Sequence, residues 1–254
     1  MTDILHRIRI VLVETSHPGN IGAVARAMMT MGLDRLYLVA PENYPSAQAT
    51  ARAAGADKVL AQTQVCTSLS EAIADCILVI GSSARARRLN WAGLTPPEAA
   101  QRLLSAAPRG EVALVFGRES SGLSNEELAC CQQLVTIDAN PEYSSLNLAS
   151  AVQLFCYELR KQSLAAEPKP PEPVNGEPAA TSAQLESMFS HLEETLADIG
   201  LLQEGYPRAT LLLRLRRLFY RAQLSETEVN ILRGVFSAAQ GRKEKNLKKK
   251  LTNT

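Results

Sequence analysis

Three segments of this chain carry more Gly, Ser, Asn and charge than connecting turns require, and each follows an apolar run. They are Gly81-Ser82-Ser83-Ala84-Arg85, Phe116-Gly117-Arg118-Glu119-Ser120-Ser121-Gly122-Leu123 and Ile137-Asp138-Ala139-Asn140-Pro141-Glu142-Tyr143-Ser144-Ser145-Leu146-Asn147. Small residues let backbone N–H and C=O groups approach a bound molecule closely. Ile137 and Leu146 would wall an apolar slot of the kind an adenine ring fills, with backbone groups to hydrogen-bond its edge. None of the three is a G-x-G-x-x-G fingerprint or a Walker A loop, which argues against a nicotinamide enzyme and an NTPase. Taken singly, each also reads as an ordinary turn; their repetition at successive strand ends points to a site.

A fourth segment is Glu14-Thr15-Ser16-His17-Pro18-Gly19-Asn20-Ile21-Gly22. Asn20 is placed to cap a helix beginning at Ile21. Arg26 lies four residues after Gly22 and off the apolar stripe of Ile21, Val24, Ala25, Met28 and Gly32. A bare glycine beneath an outward arginine leaves room for a phosphate at the guanidinium. An exposed helix arginine is the plain alternative.

These segments need a scaffold of strands. Ile8 to Val13, Leu36 to Val39, Ile77 to Ile80, Val112 to Phe116 and Leu134 to Ile137 read as strands buried on both faces. Helical patterns fall between them at Ile21 to Met31, Glu71 to Ala74, Pro97 to Ala106 and Asn125 to Cys130. A longer helix is expected from Leu148 to Gln162, with Leu148, Ala151, Val152, Phe155 and Leu159 on one stripe. Alternating strands and helices predict an α/β fold with a mostly parallel sheet. In such sheets ligands bind beyond the carboxyl ends of strands, where the first three segments fall. The Pro-rich stretch Ala165 to Ser182 has almost no apolar bulk and is expected to be an extended linker. Beyond it, Ala183 to Ile199, Ala209 to Ala222 and Glu226 to Ala239 predict a small α-helical domain, with Ser225 and Glu228 forming a capping box. The expected organisation is a catalytic domain at 1–163, a linker at 164–182, a helical domain at 183–241 and a basic tail at 242–254.

The remaining composition narrows the class. Three histidines and five cysteines lack zinc-ligand spacing, so no metal is expected. No G-x-S-x-G elbow supports a hydrolase. An odd cysteine count, no apolar run long enough for a bilayer and a charged N-terminus without an h-region predict a cytoplasmic protein with free thiols and no membrane partner. Net charge is +1, but from Leu201 onward 12 Lys and Arg face 4 acids, leaving about −7 upstream. An acidic body with a basic appendage fits a polyanion partner. Arg214, Arg217 and Arg221, at i, i+3 and i+7, share one helix face that would contact phosphates, while Leu211, Leu215, Leu218 and Ala222 share another, core-like face; an exposed charged face is the plain alternative for the arginines.

Together, V-E-T-S-H-P-G-N-I-G-A-V-A-R-A-M (Val13 to Met28), L-V-F-G-R-E-S-S-G-L (Leu114 to Leu123) and A-N-P-E-Y-S-S-L-N-L-A-S-A-V-Q (Ala139 to Gln153) resemble the SPOUT-class, trefoil-knot RNA 2′-O-ribose methyltransferases of the TrmJ type. The resemblance implies a knotted sheet (SPOUT) and a homodimer with active sites near the subunit interface. It implies methyl transfer from S-adenosyl-L-methionine to the ribose of cytidine or uridine at position 32, in the anticodon loop of tRNA. Ser82, Ser83, Ala84, Gly117, Ile137, Ser144, Ser145 and Leu146 fall on its cofactor-binding positions. Arg26, Asn20, Glu119, Ser145 and Asn147 fall on its catalytic and signature polar positions, and Arg26, with Arg214, Arg217 and Arg221, would bind RNA. Asp138 departs from the small or neutral residue expected before Ala-Asn-Pro. Other readings are a catalytically silent RNA-binding protein, a base methyltransferase and a small-molecule enzyme.

Overall fold

A strand buried at all six positions, Ile8–Val13, sits inside the sheet of the first unit. A computed structural model describes residues 4–83, 93–165, 177–202 and 208–251, with side chains up to residue 241. The chain divides into two compact units, Met1–Pro171 and Glu172–Thr254.

After a 3-10 turn at Ile4–Arg7, the first unit runs Ile8–Val13 (β1), Pro18–Met31 (α1), Arg35–Val39 (β2), Ala47–Ala53 (α2), Asp57–Ala61 (α3), Gln64–Cys66 (β3), Leu69–Ala72 (α4), Cys76–Ser82 (β4), Gly93–Leu94 (β5), Pro96–Ala106 (α5), Glu111–Phe116 (β6), Asn125–Ala129 (α6), Gln133–Val135 (β7) and Leu148–Ala165 (α7). The sheet order is β3-β2-β1-β6-β4-β7-β5, and every pairing is parallel. The pleat sends alternate residues to two cores. Ile8, Ile10, Leu12, Val112, Leu114 and Phe116 pack with α1, α5 and α7, whereas Val11, Val13, Ala113 and Val115 pack with α4 and α6.

Four neighbouring strands, β1-β6-β4-β7, end side by side. Their following segments are therefore neighbours at one edge, although they are distant in sequence. Gly81 and Ser82 belong to β4 itself, two residues beyond the end expected from sequence. Gly81 packs tightly there: an added Cβ would lie 2.8 Å from Cys131 Sγ and 3.1 Å from Leu134 Cδ2.

Two expectations about α1 are corrected. The helix starts at Pro18, and its N-cap is His17, which makes no side-chain cap, so Asn20 lies inside the first turn. Gly22 does not open space for a phosphate below Arg26. A Cβ there would lie 2.0 Å from the Ala49 carbonyl oxygen, so the glycine lets α1 and α2 cross in near contact.

At the other end of the sheet Arg9, only 4% exposed, is held by Asp75, by Glu111 at 3.3 Å and by the Ala72 carbonyl at 3.1 Å. Its guanidinium lies 4.7 Å from the Tyr37 ring centroid. A buried charge with these partners is compensated, and its role is structural.

The second unit contains Ser182–Asp198 (α8), Arg208–Ala222 (α9) and Glu226–Leu251 (α10). Its order begins ahead of residue 183. Ala180 N–H donates to Leu224 O at 3.0 Å, Ala180 and Ser182 are buried, and Thr181 caps α8 in a capping box with Gln184. The α10 helix runs to Leu251, past the helix end at Ala239 expected from sequence.

Candidate functional site

Three of the four adjacent segments line one cleft of about 320 Å³. Its walls are Ser82 and Ser83 after β4, Phe116 to Leu123 after β6, Ile137 and Ser144 to Leu146 after β7, and Leu148 and Ala151 of α7. That size and the mixture of hydroxyls with apolar side chains suit a small organic ligand. Ile137 and Leu146 both stand in the wall, as the adenine-slot expectation requires. The floor is rigid, because Phe116 packs edge-on against Phe155 of α7 with ring centroids 5.6 Å apart.

The β6 loop folds back on itself. Gly122 N–H donates to Arg118 O at 2.9 Å, and Gly122 adopts φ 72°. This brings Gly122 and Leu123 over Gly117, where a side chain would collide with their backbone. Arg118 clamps the loop from outside. Its Nε donates to Glu14 Oε2 at 2.8 Å, and its Nη1 and Nη2 donate to Glu127 at 3.0 Å each. Paired guanidinium–carboxylate forks fix orientation as well as charge. Arg118 in turn holds the Glu14 carboxyl below its usual range, chiefly through its hydrogen bond.

Glu119 ties the loop to α1. Its carboxylate accepts from Ser16 N at 3.2 Å, Ser16 Oγ at 3.3 Å, His17 N at 3.4 Å and Asn20 Nδ2 at 3.0 Å. Asn20 Oδ1 then accepts from Asn147 Nδ2 at 3.1 Å, and Asn147 Oδ1 accepts from Ala149 N at 2.9 Å at the start of α7. An acceptor-only carboxylate at one end and backbone donors at the other orient both amides. The carboxylate thus supplies a polar anchor at the α1 terminus that sequence assigned to Asn20. Burial pushes the Glu119 carboxyl up, but the hydrogen bonds from Asn20, Ser16 and His17 outweigh it and hold it below the usual range.

Because that folded value is depressed, the stability it brings is present above the unfolded value and is lost as pH falls through the folded one. Glu119→Gln places an NH2 group among four donors and should lower stability at pH 7 by about 1–3 kcal/mol. Urea melts should show the two proteins converging as pH drops below the carboxylate range; a constant gap would contradict this.

Comparison with known proteins agrees with this arrangement. The profile of the SpoU rRNA Methylase family matches residues 7–157, and that of the tRNA methyltransferase TrmJ C-terminal domain matches residues 183–250. A tRNA (cytidine/uridine/adenosine-2′-O-)-methyltransferase TrmJ of Pseudomonas aeruginosa is 50% identical over 244 residues, covering 93% of this chain and 95% of that protein. A tRNA (cytidine/uridine-2′-O-)-methyltransferase TrmJ of Citrobacter koseri is 48% identical over 237 residues, covering 93% and 97%. The crystal structure of TrmJ from Z. mobilis superposes with a TM-score of 0.79 at 37% identity, over 91% of this chain and 97% of that one. The chain belongs to the TrmJ family of SpoU-type methylases.

Of the residues expected from the resemblance to hold a cofactor, Ser82, Ser83, Gly117, Ile137, Ser144, Ser145 and Leu146 all line the cleft, and Ala84 lies outside the described residues. Asn20, Glu119 and Asn147 meet in the network just described. Arg26 does not line the cleft of its own chain. It is exposed on α1, and no ion pair engages its guanidinium among the described residues. Asp138 is exposed. Sequence reasoning missed Glu14 and Glu127 as the partners of Arg118. The Ser124-x-x-Glu127 spacing is a capping-box signature, observed here, that could have flagged Glu127.

In the second unit, Arg214 and Arg221 are exposed and Arg217 is half-buried with an interaction of its own. The core face of α9 is corrected. Leu212, Leu215 and Phe219 pack inward, while Leu218 is 50% exposed and Ala222 is exposed. Leucines surround this helix, so periodicity alone did not fix its inner face. Arg216 supplies the missing constraint, with Nη2 donating to Glu186 Oε2 at 2.7 Å and its guanidinium 4.5 Å from the Phe189 ring centroid.

Proposed function

We propose that this protein methylates the 2′-hydroxyl of a pyrimidine ribose in tRNA, at anticodon-loop position 32, using S-adenosyl-L-methionine in the cytoplasm. The observation that carries the reading is the convergence of the three loops, expected from sequence to hold a cofactor, on one cleft. The cleft's chemistry fits that cofactor. Serine hydroxyls and apolar walls suit a nucleoside, and Glu119 in the lining places a carboxylate beside the space a sulfonium would occupy. Ser82, Ser83, Gly117, Ile137, Ser144, Ser145 and Leu146 would hold it. When bound, it supplies a methyl already activated as a leaving sulfide's substituent.

The chain's own residues then have two tasks. The first is positioning the ribose oxygen in line with the methyl, which removes much of the entropic barrier. The Glu119–Asn20–Asn147 network does this indirectly, by locking α1 and α7 against the β6 loop. The second is charge stabilisation. Arg118 is already saturated by two carboxylates, so it has no free fork for RNA. Arg26 has one. A guanidinium stays protonated, so Arg26 steadies the developing alkoxide and grips the flanking phosphate, while the proton leaves to Ser145, water or that phosphate.

Since Arg26 stands outside its own cleft, it would serve the cleft of a second copy. Exposed Met29 on α1 and exposed Leu154 and Tyr157 on the neighbouring α7 support a homodimer through these helices. The β6 and β7 loops would form the trefoil knot. In the second unit, Arg214, Arg217 and Arg221 would contact tRNA phosphates.

Incubation with methyl-labelled donor and bulk tRNA, followed by mapping of the labelled nucleotide in the chain and its digestion to the nucleoside, tests the reading. Label in 2′-O-methylcytidine or 2′-O-methyluridine from position 32 is expected. Label on a base, or none, would overturn it. A chain stopped after residue 171 should lose tRNA affinity while keeping donor affinity; equal tRNA affinity would exclude the second unit as an RNA-binding element.

A further inference from the structure

Tyr143 is 81% exposed, the highest value among the exposed large apolar and aromatic side chains described. It immediately precedes Ser144, Ser145 and Leu146 in the cleft wall. Its backbone position is nevertheless fixed. Asn140 O accepts from Tyr143 N at 2.9 Å, and Asn140 Oδ1 accepts from Glu142 N at 3.0 Å. Pro141 presets the second residue of that turn, and Asn at its first position adds the side-chain bond. A doubly tied turn therefore presents a ring to solvent one residue ahead of the segment that forms part of the cleft wall.

Charge decides what the ring can meet. Between Asp138 and Asn147 the loop holds two carboxylates, Asp138 and Glu142, and no Lys or Arg. Such a loop repels the phosphate backbone, and Arg118 in the facing loop is already occupied. The uncharged face of a nucleobase is the part of an RNA that suits an aromatic ring in this setting. Stacking of this kind is tolerant of base identity, because every base has a π-face.

We propose that Tyr143 stacks on the base of the nucleotide being methylated and so positions its ribose over the cleft. The inference rests on the RNA-methylating reading above and adds a substrate contact to it. Glu142 and Asp138 disfavour the sugar–phosphate backbone on the loop's side of the nucleotide.

The test uses the full-length protein and a synthetic stem-loop RNA containing the methylated position, with the target base present or removed. Tyr143→Ala is expected to raise KM for the intact RNA about tenfold or more, the range of one lost base stack. Donor affinity, read by calorimetry, should not change. Tyr143→Phe and Tyr143→Trp should recover near wild-type KM, because the ring and not the hydroxyl is used. Removing the target base should weaken binding to the wild type by a similar factor and add little in Tyr143→Ala. Additive losses, a Phe variant as poor as Ala, or coupling only to a neighbouring base would overturn the assignment. The cycle can be read by RNA binding alone. A wild type that binds the stem-loop without methylating it would thus sink the functional reading, while the stack is still decided.

Discussion

Arg26→Ala is expected to lower methyl transfer by about a hundredfold to a thousandfold, the loss usual for removing one donor to a developing oxyanion. The substitution should be structurally quiet. Arg26 is exposed, has no ion pair among the described residues and faces none of the two cores of the first unit. Exposed substitutions of this kind usually shift stability little. Donor affinity should also persist, because Arg26 is absent from the cleft wall. The measurement is a single-turnover rate with enzyme in excess, paired with donor calorimetry. Arg26→Lys keeps the charge but loses the planar fork, so it should recover only part of the rate. If Arg26 acts across a dimer, mixing Arg26→Ala with a cleft-filling Ser145→Trp variant should restore activity, since one mixed site keeps both functions. Near-normal turnover by Arg26→Ala would remove the residue from the mechanism.

How far the sequence led to this site depends on the kind of signal each part emits. Strands β1 and β6 were legible because nearly every position is apolar, as burial on both faces demands. Strands β3 and β5, three and two residues long, have no period to read. Helix α2 was missed because Ala49 and Ala53 bury no bulk; their smallness matters only when Gly22 crosses them. The three cleft loops stood out by composition. The network joining them did not, since Asn20 lies 99 residues from Glu119 and 127 from Asn147. Polar residues separated so far reveal a partnership only after the sheet order places β1, β6 and β7 in one neighbourhood. The family resemblance marked the same residues as signature positions but did not say that they hold one another.

Gly117→Ala is expected to weaken donor binding by about tenfold or more, although it adds a single methyl group. The new Cβ would stand 2.1 Å from Gly122 C, 2.2 Å from Leu123 N and 2.5 Å from Gly122 O. All three atoms are backbone, so no side chain can rotate away. The loop cannot open freely either, because the Arg118–Gly122 bridge closes it and Glu14 and Glu127 hold Arg118. Overpacking of this kind costs about 1–3 kcal/mol of stability. The larger effect falls on the cleft, since Phe116 to Leu123 form one of its walls and any relief of the clash moves that wall. Calorimetry should show donor affinity reduced by at least about tenfold, a displacement worth only ~1.4 kcal/mol. Gly234→Ala is the control. Nothing lies within 4 Å of an added Cβ there, and alanine suits a helix interior better than glycine by about 1 kcal/mol. That variant should be as stable as the wild type or more so, with unchanged donor binding. Wild-type donor affinity in Gly117→Ala would mean that the folded-back β6 loop is not the wall that grips the ligand.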